Sequence, residues 1–255
     1  MARIFITGST DGLGRAAARS LMEDGHEVVL HARSPERAGA LADLAPGSAG
    51  LVVGDLRSAA ETRHVADQVN ALGRMDAVIH NAGVYAERSR GDTPEGHAVT
   101  LAVNALAPYI LTALIDRPRR LVYLSSGLHR GGEGPLDDID WTRRDWDAGR
   151  AYAESKLYVT ALALALARRW PDLLSNAVDP GWVRTRMGGA SALVDLETGA
   201  RTQSWLAASK EPAAMTGGGY WHRLRREPPA AQATDPAFQD ALLARLGDLT
   251  GVLLA

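Results

Sequence analysis

The chain has 255 residues, 46% of them hydrophobic, with 28 basic residues against 30 acidic ones. That length and apolar content suit one large-cored domain, and the near-neutral balance argues against nucleic acid or an anionic membrane as a partner. The absence of cysteine excludes disulfides, thiolate metal sites and a cysteine nucleophile, and no apolar run reaches membrane-spanning length, so a cytoplasmic protein with no metal and no membrane anchor is expected.

Short apolar runs alternate with helix-like segments along the chain. Ile4 to Ile6 reads as a strand and is followed by a helix from about Gly12 to Asp24, closed by Gly25. Val28 to Leu30 is a second strand, with a helix after Pro35. Leu51 to Val53 precedes a helix from about Ser58 to Leu72. Ala77 to Ile79 precedes a loop and a long helical pattern from about Pro94 to Ile115. Leu121 to Leu124, a helix from about Ala151 to Arg169, and a strand from Ser175 to Val178 complete the alternation. Leu128 to Arg150 interrupts it. The last third mixes helix with a glycine-rich loop at Gly217-Gly218-Gly219-Tyr220-Trp221, then a terminal helix from about Pro236 to Leu246. Wholly apolar strands separated by helices predict an α/β fold, a parallel sheet covered on both faces in a single Rossmann-type doubly wound domain. Within residues 1–255 the dinucleotide-binding part is expected at about 1–125 and the catalytic, substrate-binding part at about 126–255.

Two stretches carry chemistry. Gly8-Ser9-Thr10-Asp11-Gly12-Leu13-Gly14 follows a strand and opens a helix. Small residues there let the backbone approach a phosphate, whose charge the helix N-terminus favours. Tyr152 and Lys156 are four residues apart in a helical stretch, which puts a phenol and an ammonium on one face. An ammonium close to a phenol favours the phenolate and lowers a pKa that is otherwise about 10.

Thr7-Gly8-x-x-x-Gly12-x-Gly14, Asn81-Ala82-Gly83, Asn104, Ser125-Ser126, Tyr152-x-x-x-Lys156 and Pro180-Gly181 occur in this order. Together they resemble the short-chain dehydrogenase/reductase family. The inserted segment between Ser126 and Tyr152, with His129-Arg130 and Asp140-Trp141, is most similar to the retinol-dehydrogenase-like branch. The connection at Ile115 to Arg120 is shorter than that branch leads one to expect.

The resemblance implies a mainly seven-stranded parallel sheet and NAD(P)-dependent interconversion of a carbonyl and an alcohol. It implies Tyr152 as acid and base, Lys156 as its partner and a holder of the nicotinamide ribose, and Ser126 as a donor to the substrate oxygen. Asn104 would hold a proton-relay water. Gly8, Ser9, Thr10, Gly12, Leu13 and Gly14 would receive the pyrophosphate. Asp55 and Leu56 would sit at the adenine, and Asn81, Ala82 and Gly83 under its ribose. Pro180, Gly181, Val183 and Thr185 would hold the carboxamide. Ala32 stands where an acid would select NAD(H), and Arg33 is next to it, so NADP(H) is preferred with NAD(H) as the lesser choice; Arg15 is a further candidate for the phosphate.

The other reading is a non-catalytic dinucleotide-binding sensor or scaffold, against which the complete set Asn104, Ser126, Tyr152 and Lys156 argues. The Tyr152 helix is apolar around most of its circumference, which suggests a homodimer unless the insertion or the C-terminal third covers it. His129, Trp182, Trp205 and Trp221 are candidate pocket residues. Apolar residues in Leu128 to Arg150 and Arg186 to Met215 suggest a small, largely apolar substrate, with the second segment as a lid.

Overall fold

The computed structural model describes residues 1–85 and 88–254. Its sheet runs in the order β3-β2-β1-β4-β5-β6-β7-β8. The strands are β1 (Arg3–Ile6), β2 (Glu27–Ala32), β3 (Gly50–Val53), β4 (Ala77–His80), β5 (Arg120–Leu124), β6 (Leu174–Asp179), β7 (Gly219–His222) and β8 (Arg225–Glu227). The first seven are parallel, as expected, and β8 adds an antiparallel edge to β7, pairing Trp221 with Arg226. Of the stretch expected to be a glycine-rich loop, Gly219 to Trp221 belong to strand β7, and Gly217 and Gly218 lead into it. Gly219 is there for close approach: its N–H and the indole N–H of Trp221 both donate to Asn176 Oδ1, at 2.9 and 3.0 Å.

One face of the sheet is covered by α1 (Gly12–Glu23) and α7 (Leu196–Ala208), which pack Ala17, Leu21 and Leu206 on Ile4, Ile6 and Val122. The other is covered by α3 (Ala59–Ala71), α5 (Ala107–Leu114) and α6 (Ala148–Arg169). The short α2 (Pro35–Ala38) follows β2. Local capping starts the helices where polar residues allow: Asp11, Ser58, Asp147 and Asp195 accept from the first-turn amides of α1, α3, α6 and α7. The helix expected from Pro94 begins later, at α4 (Val99–Leu101), because Gly96 takes φ +84° in the turn before it. α4 runs through a π turn at Ala102–Leu106 into α5, and Ala107 N–H bonds back to Ala102 O. Asn104 sits inside that turn, a widening common near functional sites.

Every residue of α6 from Ala151 to Leu166 is buried. The face left by the sheet is covered by α8 (Ala231–Thr234), α9 (Pro236–Thr250) and the turn at Gly127–Gly131. The uncovered face that suggested a homodimer therefore does not exist on this helix. Sedimentation at micromolar concentration is expected to give a single monomeric species; a concentration-dependent dimer would mean that a different face pairs.

Candidate active site

β1 and β4 lie side by side while the chain leaves them in opposite directions, so a crevice opens beyond their C-terminal ends. The glycine turn forms its floor. Gly14 is where no side chain fits: a Cβ there would stand 2.3 Å from Gly8 O and 2.4 Å from Asn81 Nδ2. Gly8 and Gly12 have φ of +69° and +52°, a region that favours glycine. Asn81 fastens the turn by donating to Thr7 O at 2.9 Å, and Thr7 Oγ1 accepts from the amides of Asn81 and Ala82 at 3.0 Å each. Ser9 is fully buried and donates to Ile6 O. Thr10 sits at the turn's apex, half-buried, and Leu13 packs beneath the Gly199 backbone of α7.

His31, which no motif marks, also belongs to this floor. Its Nδ1 accepts from Gly8 N–H and its Nε2 donates to Gly54 O, both at 2.9 Å, so it ties the turn to the end of β3. Burial drives its pKa down to about 4, which keeps the neutral form this arrangement needs. The only signal for it in the sequence is a polar residue within the apolar run Val28 to Ala32.

Arg33 is exposed at the end of β2, and Ala32 before it is buried with no carboxylate at the position. Asp55 lies nearby; burial disfavours its charge, but hydrogen bonds from Arg57 and the charges of Arg57 and Arg33 hold its carboxyl below the usual range. The cap of α3 is Ser58, not Asp55, and the Leu56 side chain is in the core. The Arg15 guanidinium meets both carboxylate oxygens of Asp43, at 2.6 and 2.7 Å, in an ion pair open to solvent.

Beyond β5 and on α6, the remaining candidates converge. Ser125 is buried and bonded to Thr160 at 2.6 Å, whereas Ser126 is half-exposed and its hydroxyl lies close enough to the Tyr152 phenol to favour the phenolate. This separates two serines that the sequence alone confuses. Tyr152 is 8% exposed. Lys156 is buried, and its ammonium donates to Leu124 O at 2.8 Å and lies 5.5 Å from the Tyr152 ring centre. Asn104 binds the Val84 backbone through both side-chain atoms, at 2.9 and 3.0 Å, and donates to Ser155 Oγ. Ser155 in turn donates to Tyr152 O at 2.7 Å. Gly83 completes the group: a Cβ there would be 3.3 Å from both Asn104 Oδ1 and Lys156 Nζ.

The expected depression of the phenol does not occur in this chain by itself. Burial pushes Tyr152 up to about 12 against the opposing influence of nearby Ser126, and burial pushes Lys156 down to about 8. Desolvation of both groups outweighs the attraction between them.

The loop after β6 closes the far side. Val183 bridges to Val194, and Thr185 Oγ1 accepts from Gly188 N–H at 2.9 Å. Gly12 faces the Thr185 side chain, so this loop meets the glycine turn. Pro180 and Gly181 lead into it, with Gly181 at φ +81°. The segment expected as a lid is only partly loop, since α7 belongs to the helical layer. Trp205 and Trp221 meet edge to face, Trp221 within the core and Trp205 packed against it, and only Trp182 of the three is exposed. His129 is fully buried and structural: Nδ1 donates to Ser126 O at 2.7 Å and Nε2 accepts from Ala230 N–H at 2.9 Å. Tyr85 lies outside every motif, yet its ring meets that of Tyr152 edge-on at 4.5 Å.

The comparisons with known proteins agree with this geometry. Residues 2–117 match the family model described as short chain dehydrogenase. The short-chain dehydrogenase chry4 of Gibberella zeae is 41% identical, over 100% of this chain and 99% of that protein. The chain belongs to the short-chain dehydrogenase/reductase family. It is an NAD(P)-dependent oxidoreductase. Human retinol dehydrogenase 13 is 27% identical over 98% of this chain and 84% of its own. Among solved structures, a protein of Mycobacterium paratuberculosis superposes with a TM-score of 0.86 at 28% identity, covering 100% of this chain and 95% of that one. Among the described residues, no helix of this short-chain dehydrogenase/reductase is long and apolar enough to cross a membrane, and no cluster of His, Asp and Glu suits a metal ion.

Proposed function

We propose that this enzyme interconverts a ketone or aldehyde with its alcohol, with NADP(H) as the preferred dinucleotide and a small, largely apolar substrate. The observation that carries the reading is the convergence of Ser126, Tyr152, Lys156 and Asn104 beside the glycine turn. The crevice residues fit a nicotinamide dinucleotide. Gly8 to Gly14 expose the N-terminus of a 12-residue helix for the pyrophosphate. Lys156 spends one of its three donor hydrogens on Leu124 O, leaving the others for a ribose. The bound dinucleotide supplies or accepts the hydride. Tyr152 passes the proton, as the acid during reduction and the base during oxidation, and Ser126 donates to the substrate oxygen where charge develops. Asp55 and Leu56 would hold the adenine, Asn81 to Gly83 its ribose, and Pro180 to Thr185 the carboxamide. An NADPH-oxidation screen over aromatic ketones, aliphatic aldehydes, quinones and phosphorylated sugars tests the activity. Preference for the phosphorylated sugars would overturn the apolar site.

Cofactor choice has its own test. Arg33 can bind the 2′-phosphate with two parallel hydrogen bonds, and no acid stands at Ala32 to greet a 2′-hydroxyl. Removing a hydrogen bond to a charged group costs about 1.5–3 kcal/mol. Arg33→Ala is therefore expected to weaken NADPH about 10- to 150-fold in a fluorescence titration. NADH binding should hardly change. Equal losses for both dinucleotides would refute the assignment.

A further inference from the structure

Asp179 ends β6, directly before Pro180, and β6 pairs with β5 so that Ser125 N–H donates to Val178 O at 2.7 Å. This register brings Asp179 beside Ser126 and Gly127. A Cβ built on Gly127 would stand 3.1 Å from Asp179 Oδ2. The missing side chain at Gly127 leaves the carboxylate open on the side where Ser126 lies. The Asp179 side chain is 13% exposed, so it can be reached.

Its two oxygens differ. Oδ1 accepts from Gly181 N–H at 2.9 Å and so holds the turn after β6. Oδ2 has no hydrogen bond of 3.5 Å or shorter among the described residues; His222 Nδ1 is 3.7 Å away and is nearer to the Asp179 backbone oxygen, at 3.1 Å. The buried Tyr220 hydroxyl faces this carboxylate and interacts with it, though at more than 3.5 Å. The turn alone does not explain a carboxylate, because an asparagine oxygen would accept from Gly181 equally well. A charge here even opposes the proposed chemistry. Burial is the main force raising the Tyr152 pKa, and the Asp179 charge adds to it. An anion that works against a phenolate needs a compensating use.

We infer that Asp179 is a specificity-determining residue: its Oδ2 accepts a hydrogen bond from a hydroxyl or amine that the substrate carries close to its carbonyl, as an α-hydroxyketone does. The inference rests on the carbonyl-reducing function proposed above. It narrows the substrate class from apolar ketones and aldehydes to those carrying one donor beside the reacting group. Tyr85, edge-on to Tyr152, and the exposed Trp182 would take the rest of the molecule.

The experiment compares two aryl ketones, one with an α-hydroxyl and one without, as substrates of the wild-type enzyme and of Asp179→Asn. Asparagine keeps an acceptor for Gly181 N–H, and a melting curve verifies that the variant is folded. Wild-type kcat/KM is expected to favour the hydroxyketone by about 10- to 100-fold, the worth of a hydrogen bond to a charged acceptor. In Asp179→Asn this ratio should fall to within about threefold of unity, since a neutral acceptor retains only a minor part of that preference. An unchanged ratio in the variant, or no preference in the wild type, overturns the role of Asp179 alone. Failure of the wild type to turn over any carbonyl compound overturns the proposed function and the role of Asp179 with it.

Discussion

Tyr152→Phe is expected to lower kcat/KM for carbonyl reduction by about 10²- to 10⁴-fold, the share a positioned acid or base contributes to proton transfer. The substitution removes one hydroxyl from a ring that is 8% exposed and packed edge-on against Tyr85. Ring packing survives, so NADPH affinity and the melting temperature should stay near those of the wild type. The direction of pH dependence follows from burial. With its pKa pushed up to about 12, the phenol of the free enzyme carries its proton at neutral pH, which is the form reduction requires. Oxidation of the alcohol needs the phenolate and should therefore accelerate as the pH rises. Lys156, lowered to about 8 by burial, is still largely protonated at pH 7 and loses its charge over the same alkaline range. The gain in oxidation should thus level off above about pH 8, where the ammonium no longer supports the phenolate. Near-normal turnover by Tyr152→Phe would eliminate the proposed mechanism.

The parts of this site that lie in short continuous stretches are legible in the sequence. The strand, turn and helix around Gly8 to Gly14 follow from local apolar and glycine spacing, and the Tyr152–Lys156 pair follows from helical periodicity. What the sequence hides depends on partners distant along the chain. That Arg15 meets Asp43, 28 residues on, is not legible from spacing. Gly219 reads as loop because its reason to be glycine is Asn176, on a neighbouring strand. The covering of α6 by α8 and α9 is allowed by the sequence but not selected by it, because an apolar helix face carries no record of what packs on it. In the protein alone the phenol's pKa is raised for a related reason. Spacing shows that an ammonium is close, and only packing shows that both groups are desolvated.

Packing also creates the largest stability effect expected here. Glu154 lies between Tyr152 and Lys156 on α6, and its side chain is 1% exposed. Arg144 from the inserted segment reaches it with two hydrogen bonds, 2.9 and 3.0 Å, and binds Asp138 through Nε at 3.0 Å and the Asp138 backbone oxygen at 3.0 Å. The guanidinium also lies 3.8 Å over the Trp141 ring. Asp138 is satisfied further by the amides of Thr142 and Arg143. Arg144 is thus the clasp between the segment that follows Ser126 and the helix that carries Tyr152 and Lys156. Arg144→Ala leaves a carboxylate buried without its cation, which costs about 3–5 kcal/mol. That is a large fraction of the roughly 5–15 kcal/mol that holds a domain folded. Equilibrium urea unfolding should show the loss as a lower midpoint. The double variant Arg144→Met, Glu154→Leu tests the cause. Replacing both partners of a buried pair with apolar side chains of similar volume is often neutral or stabilising, so the double variant should recover most of what the single one loses. If the double variant is as unstable as Arg144→Ala, the contacts to Asp138 and Trp141, rather than the stranded charge of Glu154, are what the arginine contributes.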